Sequence, residues 1–419
     1  MPFNRPKLSE TATGKRWISQ FPSADQGTAA EMLDAMLLLN AEEVSSAIRV
    51  ALNELAGRGG RGKRRVALFA ERKLSKGSLF TEQMLPDAAG RKRLRAVGRN
   101  FSPIKPIRGG TRVGSEGLIA SVISQEVMAW PKVLINHPGP DRMRAKSGPT
   151  QTLVIVTDLI GSGQRITTWL DKLWNTATVR SWVSGGRLDF KIVAVASTKR
   201  GAEAVRAHRL RPEVLTYYRA PTVNTAPLAK SSAWLKLIAN NGPLTGRGAG
   251  ALGYGNDPCL VAFSYRLANN TPAIIHETDP TVPWQALYDG PIPTELSRAF
   301  GERSIEEISA DALVNAGVTV SADLTAEETL TVLVLSLLRG HLRPSSAETI
   351  AGQTLVPVLT VERILQEGKR RGFFTAKGRL TDVAQATLLA GRVSDRRRPE
   401  IPTNQMPYYP RALRGSGAI

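Results

Sequence analysis

Three segments in the middle of the chain, KVLINH (132–137), TLVIVTDLI (152–160) and DFKIVAVAS (189–197), are apolar at consecutive positions rather than at alternate ones. A strand of that kind must be covered on both faces. Helix-like patterns separate these strands: SEGLIASVISQEV from Ser115, SGQRITTWLDKLW from Ser162 and TKRGAEAVRAHR from Thr198. Strand and helix alternate across 110–210, which predicts an α/β domain with a parallel sheet and helices on both sides. VALFAE (66–71) adds a further strand on the amino-terminal side, and CLVAFSYR (259–266) one on the carboxyl-terminal side.

The flanks have a different character. From Lys15 to Ala56 apolar residues recur at helical spacing, so two or three helices are expected. A basic glycine-rich loop, GRGGRGKRR (57–65), separates them from the first strand. Gly242 to Gly255 reads as a long surface loop. Its GAGALG (248–253) matches a dinucleotide-binding pattern in letters only, because a helical segment precedes it and a strand follows. After Gly301 come TAEETLTVLVLSLLRGHL, SSAETIAGQTL with a Ser345-x-x-Glu348 capping box, and TVERILQEGKRR closed by Gly372. FFTAKGRLT then reads as a two-stranded wing, and Thr381 caps a last helix, DVAQATLLA. Three helices and a β-wing spell a winged helix. The expected divisions are a helical extension (1–60), the α/β domain (61–300), the winged helix (322–392) and a basic extended tail (393–419).

Charge narrows the partners. Fifty-six Lys and Arg against 36 Asp and Glu give a net charge of +20, which attracts polyanions. Nucleic acid is the first class expected, a phosphorylated small molecule is compatible, and no membrane partner is expected. One cysteine, Cys259, excludes an intrachain disulfide and a cysteine zinc site, and the four histidines show no His-x-x-x-His pair. No 18-residue apolar run occurs and MPFNRPKLSE has no apolar signal core, so a cytoplasmic protein is expected. A homo-oligomer is compatible with these features.

The run TLVIVTDLIGSGQRITTW (152–169) carries the chemistry. A parallel strand ending in Asp158 presents a carboxylate at the carboxyl edge of the sheet, where open α/β folds bind ligands. The helix that begins near Ser162 offers unpaired N–H groups and a partial positive charge. Gly161 and Gly163 let the backbone wrap closely around an anion. A phosphate in the loop beside a carboxylate that accepts hydroxyl hydrogen bonds suits a sugar phosphate, with the Ser162 hydroxyl adding a contact.

VIVTDLIGSGQRI resembles the phosphoribosyl-diphosphate (PRPP) loop of type I phosphoribosyltransferases. It is similar more closely to the phosphoribosyltransferase-like family of bacterial conflict (anti-phage) systems, whose loop has the form D-D-F-I-G-S-G. KRWISQFPSADQGTAAEMLDAM (15–36), PKVLINHPGPDRMRAKSG (131–148) and LGYGNDPCLVAFSYRLANNTPAII (252–275) share the likeness. The resemblance implies a type I phosphoribosyltransferase-like sheet, PRPP or a nucleotide bound by Thr157, Asp158, Leu159, Ile160, Gly161, Ser162, Gly163 and Gln164, and Asp158 as the catalytic group. It also implies Mg²⁺ held by the ligand's phosphates and Asp158. The family's first acid is Thr157 here, and losing one charge-assisted bond weakens sugar binding by about ten- to a hundredfold. In this fold Arg112, Ser115 and Glu116 would lie where pyrophosphate is received. Arg142, Arg144 and Lys146 are surface charges or close over a polyphosphate, and Asn269 and Asn270 read a base or build a turn.

In the winged helix, Thr360–Arg371 would be the recognition helix, with Lys369, Arg370, Arg371, Lys377 and Arg379 as candidate nucleic-acid contacts and Arg396, Arg397 and Arg398 beyond them. Glu362 and Glu367 on the same helix oppose that reading. Two functions fit. One is an effector of a retron-type anti-phage system that acts at the glycosidic carbon of PRPP or a nucleotide while DNA or RNA, by way of a reverse-transcriptase complex, docks on the winged helix. The other is a PRPP- or nucleotide-sensing winged-helix transcription regulator without catalysis.

Overall fold

The computed structural model describes residues 6–59, 65–87, 89–103, 115–146, 148–243, 250–279, 281, 283–301, 303–339, 346–375 and 379–391. The amino-terminal part holds helices α1 (Ala12–Ile18), α2 (Ser23–Asp34) and α3 (Ala41–Gly59) with a short strand β1 (Leu37–Leu39). Then follow β2 (Arg65–Ala70), a hairpin of β3 (Thr81–Pro86) and β4 (Lys92–Val97), α4 (Ser115–Ala129), β5 (Leu134–Asn136), α5 (Pro140–Met143) and β6 (Thr150–Ile160). After the loop come α6 (Gln164–Asn175), α7 (Ala177–Ser184), β7 (Asp189–Ser197), α8 (Lys199–Arg206), β8 (Glu213–Arg219) and α9 (Leu228–Asn240).

The main sheet has the order β5-β2-β6-β7-β8, and every neighbouring pair is parallel. Its central strand explains the unbroken apolar run. Val154 and Val156 pack on one face with Ile48, Leu52, Ile119 and Ile123 from α3 and α4. Leu153 and Ile155 pack on the other with Trp169, Leu170 and Leu173 from α6. Successive side chains of a strand point to opposite faces, so a strand buried on both needs an apolar residue at every position.

The rest of the α/β domain contains β9 (Val261–Phe263), β10 (Arg266–Leu267) and α10 (Ala273–His276). CLVAFSYR is therefore not one strand. It folds back through Ser264 and Tyr265, so that Arg266 pairs with Phe263 in an antiparallel hairpin. The segment 1–60 also departs from a purely helical extension. Leu37–Leu39 pairs in parallel with Val261–Phe263, and α2 packs on α9, which weaves the described part of this segment into the domain. The hairpin of β3 and β4 was not legible because its positions are mostly polar and exposed, without a half-buried alternation.

The carboxyl-terminal part holds α11 (Ile305–Ala316), α12 (Ala326–Leu338), α13 (Ala347–Thr354), α14 (Val358–Arg370) and α15 (Asp382–Gly391). Capping boxes start α11 at Ser304/Glu307 and α12 at Thr325/Glu328. The cap of α13 is Ser346, which accepts from the Thr349 amide, one residue later than the expected Ser345, which lies outside the described residues. Phe373 N–H bonds back to Gly368 O at 2.8 Å and closes α14 through Gly372, and Phe374 and Leu380 bridge in antiparallel fashion at the base of the wing. α13 and α14 lie against β8, the edge strand of the main sheet. No helix among the described residues is long and apolar enough to cross a membrane.

Candidate sugar-phosphate site

The carboxyl ends of β2 and β6, the turn that follows β6 and the start of α6 line a cavity of about 410 Å³. The turn is held from below. Thr198 N–H and Oγ1 bond Ile160 O at 2.9 Å and Gly161 O at 2.8 Å, and a Cβ on Gly201 would sit 1.9 Å from Gly161 O. Only glycine at 201 allows α8 to come this close. Gly163 has φ +80° and turns the chain into α6, whose first i to i−4 bond runs from Thr167 N–H to Gly163 O at 3.0 Å. The amides before that bond have no partner within the helix. They point out of its amino-terminal end, where the dipole favours an anion.

Residues 250–257 cover this turn. Tyr254 donates to the Gln164 carboxamide, Asn270 donates to Tyr254 O at 2.6 Å, and Arg200 donates to Gly255 O at 3.0 Å. Asn270 is thus engaged in building the loop, and both Asn269 and Asn270 line the cavity. The described part of GAGALG forms a turn, with Gly253 N–H bonded to Gly250 O at 3.1 Å, and no helix follows it. This is consistent with the rejection of a dinucleotide fold.

Asp158 lines the cavity but is only 2% exposed, and it is third from the end of its strand. Its Oδ2 accepts from Arg266 Nη2 at 3.0 Å and from the Tyr265 hydroxyl at 3.1 Å, and Ser115 also hydrogen-bonds to it. Burial alone would raise the Asp158 carboxyl. The Arg266 guanidinium, with the bonds from Ser115, Arg266 and Tyr265, outweighs burial and holds it below the usual carboxylate range. Ser115 Oγ also accepts from Arg266 at 3.2 Å, so the first residue of α4 joins this network. Arg112 lies outside the described residues.

Glu71 is the residue that the sequence did not single out. It follows the last residue of β2, and its amide bonds Val156 O at 2.8 Å. Its Oε2 meets Arg165 Nη1 at 3.1 Å and lies 3.5 Å from the Thr157 hydroxyl. Burial raises the Glu71 carboxyl, and the negative charges of Asp158 and Glu116 add to that against the pull of Arg165. Arg165, Tyr265 and Arg266 were also missed. Each is an ordinary residue in its local context, and only the fold brings it to the pocket.

Other candidates lie elsewhere. Glu116 Oε1 accepts from Lys73 N–H at 3.4 Å. Arg144 donates to Pro140 O and Ala96 O, and Arg142 and Lys146 are exposed. None of the three lines the cavity. Gly148 lies against the Arg65 side chain at the start of β2, so the chain here is already on its way to the opposite edge of the sheet.

Lys369, Arg370 and Arg371 are exposed at the carboxyl end of α14, where Glu367 pairs with Arg370 at 3.2 Å and with Arg371 at 3.0 Å. Arg379 is exposed in the wing, while Lys377 and Arg396, Arg397 and Arg398 lie outside the described residues. The first turns of α14 are divided between the sheet and solvent, with Glu362 and Arg363 exposed. Val358 and Val361 are buried, and Val358, Leu359 and Glu362 line a cavity shared with β7 and β8. A helix that reads bases does so with its amino-terminal residues. In α14 that end has one side against the sheet and another side, with Arg363, exposed.

The family model described as PRTase-CE matches residues 15–289, and the one described as wHTH-PRTase associated matches residues 332–415. No curated protein matches the chain. The first match spans more than half of the sequence and covers the parallel sheet, the phosphate-type turn and the 250–275 cover described above. The chain belongs to the PRTase-CE family, and joins a phosphoribosyltransferase-like α/β domain to a carboxyl-terminal winged helix.

Proposed function

We propose that the α/β domain binds the ribose 5-phosphate moiety of PRPP or a nucleotide, with the phosphate in the Gly161–Gln164 turn. In this reading the protein is an effector of a retron-type bacterial anti-phage system that acts at the glycosidic carbon of that ligand. The observation that carries the binding step is the cavity itself: the start of α6, whose first amides lack partners within the helix, faces a space lined by two carboxylates, Asp158 and Glu71. Phosphate suits the amides, and sugar hydroxyls suit the carboxylates. Asp158 would stabilise positive charge that develops at the anomeric carbon.

Among the described residues no cluster of three His, Cys, Asp or Glu side chains is placed to hold a metal. Asp158 is engaged by Arg266, Tyr265 and Ser115. This donor set fits a Mg²⁺ that arrives on the ligand's phosphates and takes at most a carboxylate from the protein. When bound, the ion would neutralise phosphate charge. The winged helix would dock DNA or RNA through phosphate contacts of Lys369, Arg370, Arg371 and Arg379, a sequence-independent mode that matches its exposed end.

Calorimetric titration of PRPP with Mg²⁺ into the protein and into Asp158→Asn tests the site. Micromolar binding that the substitution weakens at least tenfold supports it, and no binding by the unaltered protein overturns it. A second reading, a PRPP- or nucleotide-responsive regulator without catalysis, is favoured by Arg266 neutralising Asp158 and by Thr157 in place of an acid. Expression without neighbouring genes separates the two. Toxicity that Asp158→Ala abolishes points to the effector, and toxicity that survives it removes catalysis at Asp158.

A further inference from the structure

Glu71 and Asp158 stand on opposite faces of the same sheet edge. On β6, Val154 and Val156 point toward α3 and α4, so Asp158 continues that face, where Ser115 of α4 meets it. Thr157 continues the face of Leu153 and Ile155, toward α6. On the neighbouring strand Ala67 and Phe69 share the α6 face, and Glu71 extends it until it meets Thr157 and Arg165. Where β6 carries a hydroxyl on this face, β2 sends a carboxylate across the ladder into the same place.

One half of that carboxylate is unused. Glu71 is 4% exposed and lines the cavity, and its Oε1 is buried without a hydrogen-bond partner. Its Oε2 is held by Arg165. A buried carboxylate oxygen without a donor is costly, and such groups in native structures call for an explanation. Here the residue that carries this unpartnered oxygen lines the cavity formed over the turn at 161–164.

We propose that Glu71 is the second carboxylate of the sugar-phosphate site, substituting from β2 for the acid that Thr157 replaces on β6, and that its Oε1 accepts a hydrogen bond from a ring hydroxyl of the bound ribose. Thr157 and Arg165 are positioning residues that fix the other oxygen. No bond is made or broken in this step. The assignment rests on the ribose 5-phosphate reading and adds to it the residue that selects sugar over bare phosphate.

The test compares two probes, ribose 5-phosphate and inorganic phosphate, on the full chain and on Glu71→Gln. A hydroxyl acceptor predicts that Glu71→Gln binds ribose 5-phosphate about ten- to a hundredfold more weakly. Inorganic phosphate, which gains from the removal of a nearby negative charge, should bind equally or more tightly. A collapsed pocket would weaken both probes, so the opposite signs identify a direct contact. Glu71→Asp, which keeps the charge but shortens the reach, should lose ribose 5-phosphate in the same way and serves if Glu71→Gln does not fold. Equal weakening of both probes, or no change in ribose 5-phosphate binding, overturns the assignment and leaves the site reading standing. Failure of the unaltered protein to bind ribose 5-phosphate removes both.

Discussion

The pocket at the sheet edge and the exposed end of the winged helix both concentrate charge, but they handle it in opposite ways. At the pocket, carboxylates with 3% and 5% of their side chains exposed are tied to Arg266 and Arg165 on other elements. At the end of α14, Arg370 and Arg371 are 75% and 63% exposed and share Glu367 on the same helix. Removing one member of a buried pair strands its partner in a poor dielectric, whereas water screens an exposed pair at once. The difference separates charge that the fold must satisfy from charge that is free to meet a partner.

The most severe way to break this contrast is Arg266→Met. It should destabilise the protein by about 3–5 kcal/mol in denaturant unfolding, because Asp158 is left without its counter-ion. Adding Asp158→Asn should recover most of that loss. A cost below about 1 kcal/mol would mean that water reaches the pair.

Acid probes the same edge through His137. Its Nε2 accepts from Ala70 N–H at 2.8 Å, so it fastens the end of β2 next to Glu71, and burial together with Arg72 lowers its pKa from 6.5 to about 4. The unfolded chain therefore takes up the proton first as the pH falls. The stability from neutral His137 is complete above about 6.5 and is lost between about 6.5 and 4, for a total of about 3 kcal/mol. His137→Phe should flatten that part of the stability profile measured by urea unfolding.

Glu348→Ala is intermediate. Glu348 on α13 pairs with Arg206 of α8 and Arg219 of β8, and the Arg219 side chain is only 11% exposed. The loss should be about 1–3 kcal/mol, and thermal unfolding should split into two transitions if this pair helps to bind the winged helix to the sheet. The mildest pair is Arg370→Ala and Arg371→Ala. Each should change stability by no more than about 0.5 kcal/mol. If the winged helix meets nucleic acid there, each should lower the slope of log affinity against log salt by about 1 in a binding titration.

What the sequence makes legible follows from the range of the interactions. The strands at 152–160 and 189–197 could be read because burial on two faces shows in consecutive residues. Helix caps are local too, which is why Thr381 was found and the α13 cap was missed by a single residue. Glu71, Tyr265 and Arg266 were invisible as site residues for the converse reason. Arg266 reaches Asp158 across 108 positions, and it does so only because Ser264 and Tyr265 turn an apolar run back on itself. The docking of α14 on β8 was equally out of reach, since an amphipathic helix gives no sign of whether its apolar side meets a sheet or only its own bundle.

Helix α8 has one more consequence. It is eight residues long, about 12 Å from end to end. Gly201 in its first turn props the turn at 161–164, and Arg206 in its last turn is tied to the winged helix. The turn and one ion pair of the winged helix therefore sit at opposite ends of the same short helix. A bulkier residue at 201 should therefore disturb the turn first, and loss of Arg206 the ion pair with Glu348 first.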